Sequence, residues 1–318
     1  MYNNHLYGGI YMEDYLEYQR YICTIPEFLN KYLELDIIKR LKDISVLCGM
    51  DYASKHIYDF KFYMSRFNHS LNVALITWRL TYNKTQTLAA LFHDISTPVF
   101  SHVIDYMNGD YIKQESTEHK TEDVLRSSKQ LLEYLREDMI DINDIVDFKK
   151  YSIVDLPRPS LCADRFDNLI GVGMCWSKKV GISLAKNLVD TLYVDKNDDG
   201  KLEISLFSEY LARCLTYINY DINRLTHSNE DTYMMSLLAN IVKLLIDKKI
   251  ITYDSLYILN EPEMLKIIEE YLSIDELYEM YNKWKNIETV DEEMNIDVKE
   301  LTLSPIVCGR RITSRITS

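Results

Sequence analysis

The sequence predicts a mostly α-helical fold with one small β-hairpin. Three observations carry that expectation. Apolar residues recur at helical spacing over several long segments, as in Leu71, Ala74, Leu75 and Trp78 at i, i+3, i+4 and i+7. Glycine (9) and proline (6) are scarce among 318 residues, which disfavours a turn-rich all-β chain. Strand-like alternation around an Asp-Gly turn stands out at Val194–Ile204.

Each element follows from local pattern. Residues 1–25 are aromatic and polar, with Gly8-Gly9 marking a turn. Residues 26–48 read as one or two helices, and 49–65 as irregular chain rich in Tyr and Phe. A strong helix starts at Arg66, and the polar break Tyr82-Asn83-Lys84 separates it from a helix over Thr85–Asp94. Pro98 opens a short helix, closed by the turn Asn108-Gly109-Asp110. Residues 117–137 read as one helix, with Thr117 and Thr121 as candidate caps. A short helix spans 140–150, and a longer one spans Leu161–Cys175 after a break bracketed by Pro157 and Pro159. Beyond the hairpin, 206–225, 230–248, 261–272 and 275–287 are helical, and the alternating tail Glu300–Ser318 reads as a strand. The absence of a 20–50-residue period excludes a solenoid.

Composition narrows the function classes. Hydrophobic residues (47%) and charged residues (27%) are in ordinary globular proportion. A net charge of -13, from 49 acidic and 36 basic residues, favours solubility and argues against a nucleic-acid groove. It leaves room for a small basic pocket that takes phosphates. Six scattered cysteines with no C-x-x-C pair read as reduced thiols. No apolar run reaches membrane-spanning length, and Met1-Tyr2-Asn3-Asn4-His5 has no signal-peptide pattern. The expectation is a cytoplasmic protein without a membrane segment.

The stretch Leu88-Ala89-Ala90-Leu91-Phe92-His93-Asp94 places an imidazole and a carboxylate at the end of an apolar run. A buried carboxylate is costly unless a positive or hydrogen-bonding group compensates it. A metal ion would do so. His69 near the start of the preceding helix and Asp164 at the start of a later one could join His93 and Asp94. Neighbouring helical residues point about 100° apart, so His93 and Asp94 share one ion only at a helix end. Spacing alone leaves the bland reading open, because a histidine in an apolar helix is usually a hydrogen-bonded core residue.

Order and context add a resemblance. Arg66-Phe67-Asn68-His69-Ser70, His93-Asp94, Pro98-Val99-Phe100-Ser101-His102 and Ala163-Asp164-Arg165-Phe166-Asp167 follow one another. Together they resemble the HD-domain phosphohydrolase superfamily, and more narrowly its deoxynucleoside triphosphate triphosphohydrolase branch. Ile38-Lys39-Arg40-Leu41 is similar to that branch's lead-in. The resemblance, over roughly residues 36–176, implies an HD-domain helical bundle within residues 1–176; local pattern alone adds a hairpin plus helical region over 177–318, expected to pack on it. It also implies one divalent ion (Mn, Fe, Mg, Zn, Co or Ni) on His69, His93, Asp94 and Asp164, and a phosphorylated small-molecule substrate, a nucleotide above all. A homo-oligomer is compatible with it.

Other positions take roles on the same basis. Arg66 is three residues before His69, so its guanidinium is a candidate phosphate clamp; the alternative is a surface ion pair. Arg165 is a second phosphate candidate, or a solvated side chain. His102 and Asp105 share a helix face. The resemblance implies that Asp105 orients His119, that His119 is the general acid or base, and that His102 contacts phosphate or supports the site. Glu118-His119-Lys120 also reads as an exposed polar run. Asp167 is an outer partner of the ligands or a surface carboxylate. Ser96 and Thr97 stand where the branch has glycine and histidine, Val46 where it has a glutamine that helps select the sugar, and Asn168 and Val172 where it has acidic and tyrosyl residues. A non-catalytic HD-type module that binds a nucleotide and signals is the competing reading.

Overall fold

The computed structural model describes residues 9–114, 116 and 118–312, with side chains from residue 12 onward. The described chain is mostly helical with a small four-stranded sheet. The first described element is α1 (Gly9–Ile22), where the sequence marked only a turn at Gly8-Gly9 in an aromatic and polar stretch. Tyr15, Tyr18 and Ile22 lie on one face of α1 and are fully buried, and that packing sustains a helix its polar residues disguise. Short helices α2 (Asn30–Leu33) and α3 (Asp36–Lys39) follow, then irregular chain to residue 65.

The bundle centre is α4 (Arg66–Thr81), packed against α5 (Lys84–Phe92). Ser65 caps α4 by accepting from the Asn68 amide, and Asn83 caps α5 by accepting from Gln86. Then come α6 (Val103–Asn108), α7 (Thr121–Ser127), α8 (Lys129–Glu137) and α9 (Asn143–Val146). The single helix expected over 117–137 is broken at Ser128, whose hydroxyl caps α8 at Leu131. Thr121 is not a cap: its hydroxyl bonds Ser96 and the Glu118 carbonyl. Thr117 lies outside the described residues.

Helix α10 (Ala163–Cys175) crosses α4, and α11 (Ile182–Asp190) packs on α1. Gly171 permits the close approach of α10, since a Cβ there would stand 2.2 Å from the Met64 Cε. The expected hairpin is β1 (Leu192–Lys196) and β2 (Leu202–Leu206), antiparallel with Val194 opposite Ile204. Four helices complete the chain: α12 (Glu209–Thr226), α13 (Asn229–Asp247), α14 (Glu261–Glu270) and α15 (Asp275–Asn286).

The tail is not one strand. Residues 287–305 run as an extended strap, tied by Lys299 N to the Tyr111 carbonyl and Leu301 N to Asn223 Oδ1. It ends in β3 (Ile306–Val307), parallel to β2, and β4 (Arg310–Arg311). Arg311 fixes that end through a two-pronged pair with the fully buried Glu203, at 3.0 and 3.1 Å. The second copy of the Arg-Ile-Thr-Ser repeat lies outside the described residues. One apolar core runs from Tyr15 to Ile312, so residues on both sides of position 176 share it.

Candidate metal centre

Three helices bring the expected ligands together. His69 lies one turn into α4 and is fully buried. Helix α5 ends at Phe92, two residues earlier than expected, so His93 is its C-cap and Asp94 begins the turn beyond it. That ending lets adjacent residues face one point. Asp164 sits in the first turn of α10.

The donor atoms converge closely. His69 Nε2 is 3.0 Å from Asp164 Oδ1 and 3.8 Å from Asp94 Oδ2. His93 Nε2 is 3.6 Å from Asp94 Oδ2 and 3.7 Å from Asp164 Oδ1. His69, His93 and Asp94 each offer a ligand atom within 4.8 Å of the others. The decisive atom is His93 Nε2, which is buried and has no hydrogen-bond partner among the described residues. A buried polar atom without a partner is costly. Two imidazole nitrogens and two carboxylates around that atom suit a divalent transition ion or Mg.

A second layer orients both imidazoles. His93 Nδ1 donates to the Ala90 carbonyl at 2.8 Å, which turns Nε2 toward the site. His69 Nδ1 is 2.8 Å from Asp167 Oδ2. Asp164 and Asp167 are three apart on α10, so one helix face grips both nitrogens of His69. Asp167 is fully buried and also accepts from Tyr15 at 3.4 Å, while Asn72 donates to the Tyr15 hydroxyl. This settles Asp167 as a buried partner of His69 rather than a surface carboxylate.

Charge compensates charge here. Arg66 donates to Asp94 Oδ2 at 2.6 Å, both side chains buried. Burial opposes ionisation of Asp94, but Arg66 and then the two imidazoles outweigh it and hold the carboxyl well below its usual range. Burial likewise disfavours a charged His69, yet Asp164 and Asp167 win and push its pKa up to about 10. Asp164 is held down by the same contacts.

The centre opens into a cavity of about 1040 Å³. His93, Asp94, Asp164, Arg66 and His102 line it, with Lys113, Lys149, Lys150, Arg158, Arg165 and Lys299 farther along. Basic side chains outnumber acidic ones on its wall although the whole chain is acidic. Arg66 is not the surface ion pair of the alternative reading; it is buried on Asp94 and also lines the cavity. Arg165 is not solvated: it is buried and donates to the Ser160 and Leu156 carbonyls, so much of its donor capacity holds the 156–160 loop.

One expected relay is corrected. Asp105 does not orient His119. Its Oδ2 is 2.9 Å from His102 Nδ1, and its Oδ1 accepts from the Ser116 amide. Burial opposes ionisation of Asp105, but His102 and Ser116 hold its pKa below the usual value. His119 is exposed, lies off the main cavity and packs edge-on to Tyr257, whose hydroxyl is 3.4 Å from Nδ1. The three-residue spacing of His102 and Asp105 carried the true pairing. Thr97 is fully buried away from the cavity, whereas Val46, Asn168 and Val172 line it.

Sequence pattern missed the wall of the cavity. Lys113, Lys149, Lys150 and Arg158 sit outside long helices, Lys299 comes from the strap, and no motif marks them.

Comparison with known proteins agrees with the geometry. Residues 66–170 match the HD domain, a span containing all four candidate ligands. The chain carries an HD domain. A stretch of 115 residues is 27% identical to the uncharacterized protein YdhJ of Bacillus subtilis (strain 168), covering 34% of this chain and 33% of that protein. The match thus spans about a third of that relative's length. A crystal structure of a hypothetical protein from Aquifex aeolicus superposes with a TM-score of 0.57 at 19% identity, covering 81% of this chain and 71% of the other. That likeness concerns the fold. HD domains are typical of metal-dependent hydrolases, and no helix among the described residues is long and apolar enough to cross a membrane.

Proposed function

We propose that the protein is a metal-dependent phosphohydrolase that cleaves a phosphoester or phosphoanhydride of a nucleotide. The observation that carries this reading is the partnerless, buried His93 Nε2 beside His69, Asp94 and Asp164, opening onto a cavity with a basic wall. A divalent ion held by those four residues would polarise a phosphoryl oxygen and acidify water. In this reading residues 1–176 hold the chemistry and 177–318 complete the cavity.

The remaining steps belong to the chain's own side chains. Asp167 and the Ala90 carbonyl fix which imidazole nitrogens face the site. Arg66 keeps Asp94 ionised and aligned, and its Nε is buried without a partner at the cavity edge. Lys150 and Arg158 bind and orient phosphate oxygens. His102 stands half-buried on the wall with Asp105 on Nδ1, so Nε2 is placed to give a proton to the leaving oxygen.

The test is a panel of nucleoside mono-, di- and triphosphates with Mn, Mg and Co, products resolved by chromatography. Orthophosphate, pyrophosphate or triphosphate release identifies the bond cut. No turnover of any nucleotide by protein carrying stoichiometric metal would sink this reading.

A further inference from the structure

The cavity has a second end with different chemistry. It is built by Phe60, Trp176, Asn219, Asp231 and Met235, all outside the matched HD domain. The rings of Phe60 and Trp176 meet edge to face at 5.4 Å and give an aromatic wall. Asp231 lies in the first turn of α13 and is about nine-tenths buried in this apolar setting. Tyr58 donates to its Oδ1 at 2.7 Å. Asn219 on α12 donates through Nδ2 to the Leu301 carbonyl of the strap. Only the amide nitrogen can donate to a carbonyl, so Asn219 Oδ1 is the atom left over, and it is buried without a partner among the described residues.

A carboxylate with one side-chain donor and an orphan amide oxygen beside an aromatic wall specify a complement. A carboxylate in apolar surroundings with one donor is underpaired. A ligand that brings N–H groups would satisfy it, whereas one that brings a carbonyl would set acceptor against acceptor. Sites built on buried hydrogen bonds discriminate strongly, because the wrong ligand leaves their polar atoms unpaired.

We propose that this end of the cavity holds an amino-bearing nucleobase, its N–H edge on Asp231 and Asn219 and its ring against Phe60 and Trp176. The inference rests on the nucleotide reading above and adds which bases it takes. Burial pushes the Asp231 carboxyl up to about 7, and a donating ligand would favour its ionised form.

The test measures binding without hydrolysis, on the full chain. Nucleosides without phosphate are titrated calorimetrically in pairs that differ by an amino group: adenosine against purine riboside, and cytidine against uridine. The amino-bearing member should bind roughly tenfold tighter or better, the effect of a hydrogen bond to a charged group. Asp231→Asn, which offers an N–H of its own, should shrink that ratio to near one. Met235→Trp, which leaves both acceptors but fills the space, should weaken every ring. Equal affinities in the unsubstituted protein overturn the proposal, as does a preference kept by Asp231→Asn or no nucleoside binding at all. The two readings fail separately. Selective binding without turnover sinks the hydrolase and leaves the base site. Turnover without selectivity does the reverse.

Discussion

The candidate metal centre and the outer wall of its cavity are built on opposite plans. At the centre three of the four candidate donors are aimed by a second group: Asp167 on His69, the Ala90 carbonyl on His93, Arg66 on Asp94. All come from the ends or faces of three packed helices. On the wall, Lys150 pairs with Asp144 and Arg158 donates to the Thr302 carbonyl; Lys150 ends a single 3-10 turn and Arg158 comes from a loop. Coordination needs lone pairs aimed within narrow limits, so it requires a rigid frame. Attraction of a phosphate acts over a Debye length of about 8–10 Å, so flexible cations suffice.

The comparison breaks most sharply at the ligands. His93→Ala or Asp94→Asn should abolish stoichiometric metal loading, read by elemental analysis, and with it all turnover. Asp167→Asn should cut metal affinity roughly tenfold to a hundredfold, since it loosens His69 without removing a donor. A wall-like tolerance of Asp167→Asn, with metal affinity unchanged, would dissolve the distinction.

Proton competition sharpens the same contrast. His69 in the metal-free protein has its pKa raised from 6.5 to about 10. A raised folded pKa stabilises fully below the unfolded value and loses that contribution as pH rises through the folded one. Metal-stripped protein should therefore melt at progressively lower temperature as pH is raised from about 6.5 toward about 10. Metal needs the neutral imidazole, so Mn affinity should climb over the same window. A stripped protein whose melting temperature rises with pH there would contradict the buried Asp164–His69–Asp167 arrangement.

The legibility of the chain follows the same division. His69, His93, Asp94 and Asp164 were visible because coordination restricts residue type and the sequence context is dense. The helices α4, α5 and α10 were visible from their apolar periodicity. Helix α1 was hidden, since Tyr15 and Tyr18 are buried by tertiary packing that no local pattern encodes. Asp105 was recognised, but its partner was misassigned. Local spacing pointed to His102, and the extended link to His119 does not form. The cationic wall was invisible because any loop lysine satisfies a long-range field, so position 299 carries no signature.

On the wall, single substitutions should leave metal content intact and move KM. Arg158→Ala should raise KM for a phosphorylated substrate about tenfold, the scale of one charge-assisted hydrogen bond. Lys299→Ala should do less. Its ammonium already donates to the Lys113 carbonyl at 3.2 Å, and it is half-buried on the strap rather than at the metal. A partly solvated cation is worth roughly 1 kcal/mol or below, so a twofold to fivefold rise in KM is expected with kcat unchanged. Salt should erase it: at 1 M ionic strength the Debye length is about 3 Å, and Lys299→Ala and the unsubstituted chain should then give the same KM. A Lys299→Ala defect that persists at high salt, or falls on kcat, would place the strap among the directional contacts of the centre instead of the diffuse charge of the wall.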